Sequence, residues 1–226
     1  MKKNFNFTDD FTEKYHGKLI PTKEAIKLLI AMMPGTWVSS GKDSPSAQRT
    51  FVLFESPCPD TEEKSPSLAE VCIFAERPSE SFIAEKNLKN EREISEEEFV
   101  RILETKNAKG HVHYICFKKS SEGEFCAICN CCPGCCGPLK SGKSKVPLLV
   151  PSGYIAVVNP RKCIGCGQCM EYCPFGAMNL RNKRMRIDPE RCMGCGVCTN
   201  KCRKDALRLA RNKKHPEPFL TDKFKE

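Results

Sequence analysis

Cys163, Cys166, Cys169 and Cys173 follow the spacing C-x2-C-x2-C-x3-C, and Cys192, Cys195, Cys198 and Cys202 repeat it 29 residues later. Three thiolates on one tight loop, with a fourth at some distance, form the ligand pattern of an iron–sulfur cubane. Clusters of that kind accept and donate single electrons. A second concentration of thiols lies upstream, where Cys126, Cys129, Cys131, Cys132, Cys135 and Cys136 fall within eleven residues. Ordinary core packing does not explain such a run. His111, His113 and Cys116 lie just before it, and Cys58 and Cys72 lie earlier still.

Bulk properties narrow the chemistry. Seventeen cysteines in 226 residues suit either disulfides or metal. No apolar h-region follows Met1-Lys2-Lys3, so no secretory signal is expected. The odd count and the C-x2-C repeats then favour metal over a disulfide framework. The expected setting is cytoplasmic and low in oxygen, because exposed thiolates oxidise. No apolar run approaches the length of a membrane span. Residues 159–226 hold sixteen Lys and Arg against seven Asp and Glu, so the whole net charge of +9 sits there. This excess offsets anionic clusters or offers a docking face to an acidic redox partner. No nucleic-acid-binding motif accompanies it, so nucleic acid is not the expected partner.

The elements that position these residues read as an α+β chain. Residues 1–20 form a polar arm. Thr22 opens a helix to about Met33, with Ile26, Leu29, Ile30 and Met33 on one face. Thr50–Phe54 reads as a buried strand. A mainly helical stretch follows, with candidates at 68–75 and 81–88. Ser95-x-x-Glu98 is a capping box opening a helix to about Lys106, with Phe99, Ile102 and Leu103 inward. His111–Phe117 is a strand, 126–136 a cysteine-rich loop, and 141–145 a polar linker. The expectation is therefore a mixed, helix-rich domain over 21–150, with a metal module at 58–136. A ferredoxin-like domain follows over 151–211, and a basic tail over 212–226.

The 29-residue period extends beyond the thiols. Asn159-Pro160 matches Asp188-Pro189, Gly165 and Gly167 match Gly194 and Gly196, and Ala177 and Leu180 match Ala206 and Leu209. Two copies of one unit are implied. Met178–Leu180 and Met185–Ile187 form a hairpin in this reading, and Tyr154–Val158 pairs with Leu207–Leu209.

Over 153–211 the chain resembles the two-cluster bacterial-type ferredoxins. The resemblance implies two 4Fe–4S clusters with the fourth cysteine of each run exchanged. One would be held by Cys163, Cys166, Cys169 and Cys202, the other by Cys192, Cys195, Cys198 and Cys173. Pro174 follows the first run as in that family, whereas Arg203 follows the second. Gly110-His111-Val112-His113 and Cys129-Asn130-Cys131-Cys132 resemble a family of anaerobe iron–sulfur proteins with a cysteine-rich module before the ferredoxin domain. Gly134, Ser56 and Ser65 stand where that pattern has cysteine.

Three readings of the upstream module stay open. It holds a third iron–sulfur cluster, or zinc, or redox-active thiols. The candidate residues are Cys58, Cys72, His113, Cys126, Cys129, Cys131, Cys132, Cys135 and Cys136. The expected function is single-electron relay. The alternatives are a redox enzyme or reductase subunit with its centre in the cysteine module, and a redox sensor or assembly factor. No nucleotide or flavin fingerprint appears, so an electron carrier or oxidoreductase subunit is favoured over a stand-alone enzyme.

Overall fold

The computed structural model describes residues 17–32, 50–56, 70–74, 77–78, 80–85, 87–120, 123–131 and 149–218. The upstream half is built on a sheet. Strands β1 (Gly17–Leu19), β2 (Thr50–Ser56), β3 (Glu70–Phe74), β4 (Lys89–Ser95), β5 (Val112–Ser120), β6 (Gly123–Cys131) and β7 (Leu149–Val150) hydrogen-bond in the order β4-β2-β3-β6-β5-β1-β7. Only the β1–β7 pair is parallel; the others are antiparallel. Helices α1 (Thr22–Met32), α2 (Glu80–Glu85) and α3 (Glu96–Ala108) accompany it. The expectation of a helix-rich N-terminal domain is thus corrected to an α+β domain centred on this sheet.

Strand alternation divides the sheet into two faces with different tasks. Phe51, Leu53, Ile73, Ile94, Ile115 and Ile128 point one way and pack against Ala25 and Leu28 of α1 and Phe99 and Leu103 of α3. The Phe51 and Phe99 rings lie 4.7 Å apart at their centroids. Helix α3 begins as its capping box requires, with Glu98 N–H donating to Ser95 Oγ at 3.3 Å. Its acidic first turn of Glu96, Glu97 and Glu98 complements the helix dipole. Among the described side chains of α1, Ala25 and Leu28 are fully buried, with Ile26 half-buried beside them.

Three local readings change. Residues 70–74 form strand β3 rather than a helix, since Val71-Cys72-Ile73 is held on both sides by β2 and β6. Tertiary pairing here overrides a short and ambiguous apolar run. Much of the expected cysteine loop is strand β6, extending through Cys131. Gly17–Leu19, read as part of a polar arm, is buried between β5 and β7. Residues 1–16, 41–47, 141–145 and those beyond 218 lie outside the described residues.

The C-terminal domain contains two two-stranded ladders and two short helices. Strand β8 (Tyr154–Val158) pairs with β11 (Leu207–Arg211), and β9 (Met178–Arg181) pairs with β10 (Arg184–Ile187). Asn182 and Lys183 both take positive φ at the β9–β10 turn, as a two-residue hairpin needs. Helices α4 (Gln168–Glu171) and α5 (Val197–Asn200) follow the two cysteine loops. The repeat is visible in the backbone bonds. Asp188 N–H donates to Ala177 O at 2.8 Å, and Asn159 N–H donates to Ala206 O at 2.7 Å. Among the described residues no helix is long and apolar enough to cross a membrane.

His111 and His113 are both buried in the upstream domain. Burial pushes both imidazoles down to about 4, and for His111 the nearby Lys106 acts in the same direction. The unfolded chain therefore binds these protons more readily than the folded one between pH 6.5 and 4. Their contribution is complete above pH 6.5 and is lost as pH falls through that window, by about 1.4 kcal/mol per pH unit for each ring. Urea midpoints across pH 4–7 should fall with acid, and His113→Gln should have the shallower slope.

Candidate metal centres

Each cysteine run of the C-terminal domain forms a loop that ends in a one-turn helix. Gly167 and Gly196 start those helices with φ of 80° and 82°. Gly165 and Gly194 carry a stricter requirement. Both have positive φ, and a Cβ at Gly165 would strike the Lys183 backbone, while one at Gly194 would strike Tyr154 O and Ser152 Oγ. These close approaches fold the loops tightly enough for three thiols to face inward.

The thiols gather in two sets. Cys163, Cys166 and Cys202 are the thiol neighbours of Cys169. Cys173 is a thiol neighbour of Cys192, Cys195 and Cys198. The fourth cysteine of each run therefore lies with the first three of the other run. Cys169 and Cys198 also neighbour each other, so the two sets adjoin.

Backbone amides point at the sulfurs. Ala177 N–H donates to Cys173 Sγ at 3.4 Å and Ala206 N–H donates to Cys202 Sγ at 3.2 Å, at equivalent positions of the repeat. Ala156 N–H donates to Cys192 Sγ at 3.5 Å. Such N–H···S bonds stabilise thiolate charge and influence cluster potential.

Burial pushes the Cys169 thiol up to about 11 and the Cys195 thiol up to about 12, despite backbone hydrogen bonds that favour their thiolates. Burial raises Cys192 and Cys198 as well, and neighbouring thiols add to the rise. Bare thiols in these positions keep their protons, so a bound metal must displace them. Cys173, Cys192, Cys195 and Cys198 of the second set line one shared pocket together with Ala156, Phe175 and Val197. Converging thiols, inward N–H groups and a lined cavity fit a cubane.

The two sets differ in exposure. In the first, Cys166 is exposed, Cys163 and Cys202 are half-buried, and Cys169 is buried. In the second, Cys192, Cys195 and Cys198 are all buried. The large exposed hydrophobics among the described residues are Ile164, Met170 and Leu180, all in or beside the first motif. Exposed Arg181, Arg184 and Arg186 line an open concavity on the adjoining β9–β10 hairpin. Arg203 and Lys204, after the second run, are also exposed.

The upstream candidates separate by strand parity. Cys72 and Cys129 are register partners across β3 and β6, with Sγ atoms 3.0 Å apart. Cys131 shares their face, and its Sγ lies 3.7 Å from the Tyr114 hydroxyl. His113 faces the other way. It is fully buried on the helix side, with Nε2 3.1 Å from Thr22 Oγ1. A histidine beside cysteines in sequence is therefore not beside these thiols in space. Cys126 lies on β6, but its side chain is outside the described residues, as are Cys58, Cys132, Cys135 and Cys136. Among the described residues no three His, Cys, Asp or Glu side chains are grouped closely enough to hold a single ion.

A seam joins this face to the C-terminal domain. Leu19, Val112, Tyr114, Cys129, Cys131 and Leu149 form one apolar cluster with Cys195 and Val197, flanked by Cys72, Tyr172, Phe175 and Met193. Within the C-terminal domain beside this seam, Ser152 N–H donates to Met193 O at 3.1 Å, and Ser152 Oγ donates to Gly194 O at 2.7 Å. Asn200 bonds Asn107, and Lys201 both bonds Ala108 O and lies 3.8 Å from the Tyr172 ring centroid. Lys18, buried on β1, donates to Glu217 O, which fastens the start of the tail to the sheet. Sequence reasoning missed Tyr114, Ser152 and Tyr172, since nothing in their local pattern distinguishes them from ordinary buried or half-buried residues.

Residues 162–206 match a family model described as a 4Fe–4S dicluster domain. The C-terminal segment is thus a ferredoxin-like domain. Ferredoxin-2 of Desulfomicrobium norvegicum is 47% identical over 30 residues, which is 13% of this chain and 51% of the relative. Translation initiation factor rli1 of Schizosaccharomyces pombe is 39% identical over 51 residues, 23% of this chain and 8% of the factor. RLI1 of Chaetomium thermophilum matches at the same identity and extent. The chain spans about half the length of the ferredoxin and less than a tenth of either factor.

Two alanine substitutions separate loop shape from backbone strain. Gly167→Ala meets no atom within 4 Å and should cost about 1–2 kcal/mol from its left-handed backbone alone. Gly194→Ala adds a collision with backbone and should also release iron. Thermal melts with iron analysis of the two variants should show this order.

Proposed function

We propose that the protein is a single-electron relay built on two 4Fe–4S clusters, each held by three cysteines of one run and the fourth of the other. Cys163, Cys166, Cys169 and Cys202 would hold one, and Cys192, Cys195, Cys198 and Cys173 the other. The observation that supports this reading is the grouping of Cys202 with Cys169 and of Cys173 with Cys192, Cys195 and Cys198, which suits two adjoining centres. Bound clusters supply one-electron redox chemistry. The chain's own residues hold the thiolates, direct the N–H groups of Ala156, Ala177 and Ala206 at sulfur, and bury Cys192, Cys195 and Cys198 of the second set.

The relay has a direction in this reading. Electrons enter at the first set, where Cys166 is exposed and Ile164 and Met170 offer apolar contact. Arg181, Arg184 and Arg186 on the neighbouring hairpin suit an acidic one-electron donor protein. The second set, buried against the sheet, is the exit toward the upstream domain. A low-oxygen cytoplasm fits so many oxidisable thiols.

Anaerobically purified protein should contain about eight iron and eight sulfide per chain and show cluster paramagnetism after dithionite. Cys202→Ala should change the signal of the cluster held by Cys163, Cys166 and Cys169 and leave the other intact. A signal lost instead from the Cys192 set would defeat the ligand exchange. Arg184→Glu with Arg186→Glu should slow reduction by an acidic ferredoxin about tenfold at low salt, with the gap closing in 1 M salt.

A further inference from the structure

Cys72 and Cys129 are placed as a pair by the sheet itself. They stand directly opposite across antiparallel strands, at a Cα separation of about 4.5–5.5 Å for such partners. That separation lies within the span of a disulfide. Their Sγ atoms are 3.0 Å apart, closer than two sulfurs in simple contact. Cys72 is half-buried, whereas Cys129 is buried. One sulfur can meet a substrate while the other resolves the mixed disulfide behind it. The pair lies on the sheet face that packs against Cys195 and Val197 of the second thiol set.

We propose that Cys72 and Cys129 form a redox-active dithiol–disulfide pair, supplied with electrons by the dicluster domain and reducing a disulfide-bearing substrate. The inference rests on the relay reading and deepens it. In the charging step the Cys72–Cys129 bond breaks, two electrons and two protons are taken up, and two thiols form. The electrons arrive singly through the domain that carries Cys195, drawn from the external one-electron donor. In the discharging step the Cys72 thiolate attacks the substrate disulfide and one substrate thiol leaves. Cys129 then attacks Cys72, the second substrate thiol leaves, and the Cys72–Cys129 bond re-forms. The substrate disulfide gains the two electrons and two protons that the pair gives up. A pair of this kind would convert one-electron delivery into two-electron chemistry.

The test uses anaerobic full-length protein, oxidised glutathione as the probe disulfide, thiol blocking and peptide mapping by mass spectrometry. After the probe, a Cys72–Cys129 linked peptide should appear, and it should vanish on reductive titration. The oxidised wild type should take up about two electrons per chain more than Cys72→Ser or Cys129→Ser, while cluster absorbance stays equal in all three. Full cluster absorbance with no two-electron difference would overturn the pair and leave the relay standing. So would a linkage mapped to other cysteines, or zinc or extra iron that the wild type binds and both variants lose. Protein without iron would instead sink the relay, and iron analysis identifies that case before any titration.

Discussion

Everything in this molecule depends on bringing thiols together against their own preference. Buried thiols resist ionisation, and several thiolates in one place repel, so the polypeptide alone has little reason to gather them. Metal reverses the balance, because the free energy of binding becomes free energy of folding. Short loops, one-turn helices and two-stranded ladders would be marginal elsewhere. Here they suffice because each is fastened to a thiol set. The small apolar cluster of Ala156, Ala177, Met178, Met185 and Leu207 lies directly around those sulfurs and offers little core apart from them.

The upstream domain solves a different problem by ordinary means. Its helix-facing side is a conventional core of aliphatic and aromatic side chains. Its other side is specialised, because it places Cys129 and Cys131 where the dicluster domain covers them, with half-buried Cys72 beside Cys129. One sheet thus acts both as the scaffold of its own core and as one wall of the junction. The hydrogen bonds of Asn200 and Lys201 to the end of α3 hold that junction in a single register. Exposure follows the same logic, with the first thiol set toward solvent and the second toward the sheet.

Legibility differed by region for physical reasons. The dicluster segment is legible because metal ligation imposes a strict spacing, and the repeat doubles every signal. The Met178–Leu180 and Met185–Ile187 hairpin and the Tyr154–Val158 ladder were both expected and are both present. The α3 helix was readable from its capping box. Strands β2 and β5 were legible at Thr50–Phe54 and His111–Phe117, but β3 and β6 were not, because they carry short apolar runs whose identity depends on neighbours far away in sequence. The β4 strand Lys89–Ser95 is largely exposed and polar, so it shows little of the alternation that marks a strand.

Sequence alone determined the chemistry: eight thiols at a ligating interval, with glycines where their loops must turn. That follows because ligand spacing is a local property, written within a dozen residues. Only the tertiary structure decided which thiols meet across the sheet and which histidine turns away from them. Side chains two residues apart on a strand share a face, and adjacent ones do not, so proximity along the chain says little about it. Strand pairing across a gap of more than fifty residues brings Cys72 to Cys129, and the same alternation sends His113 to the opposite core.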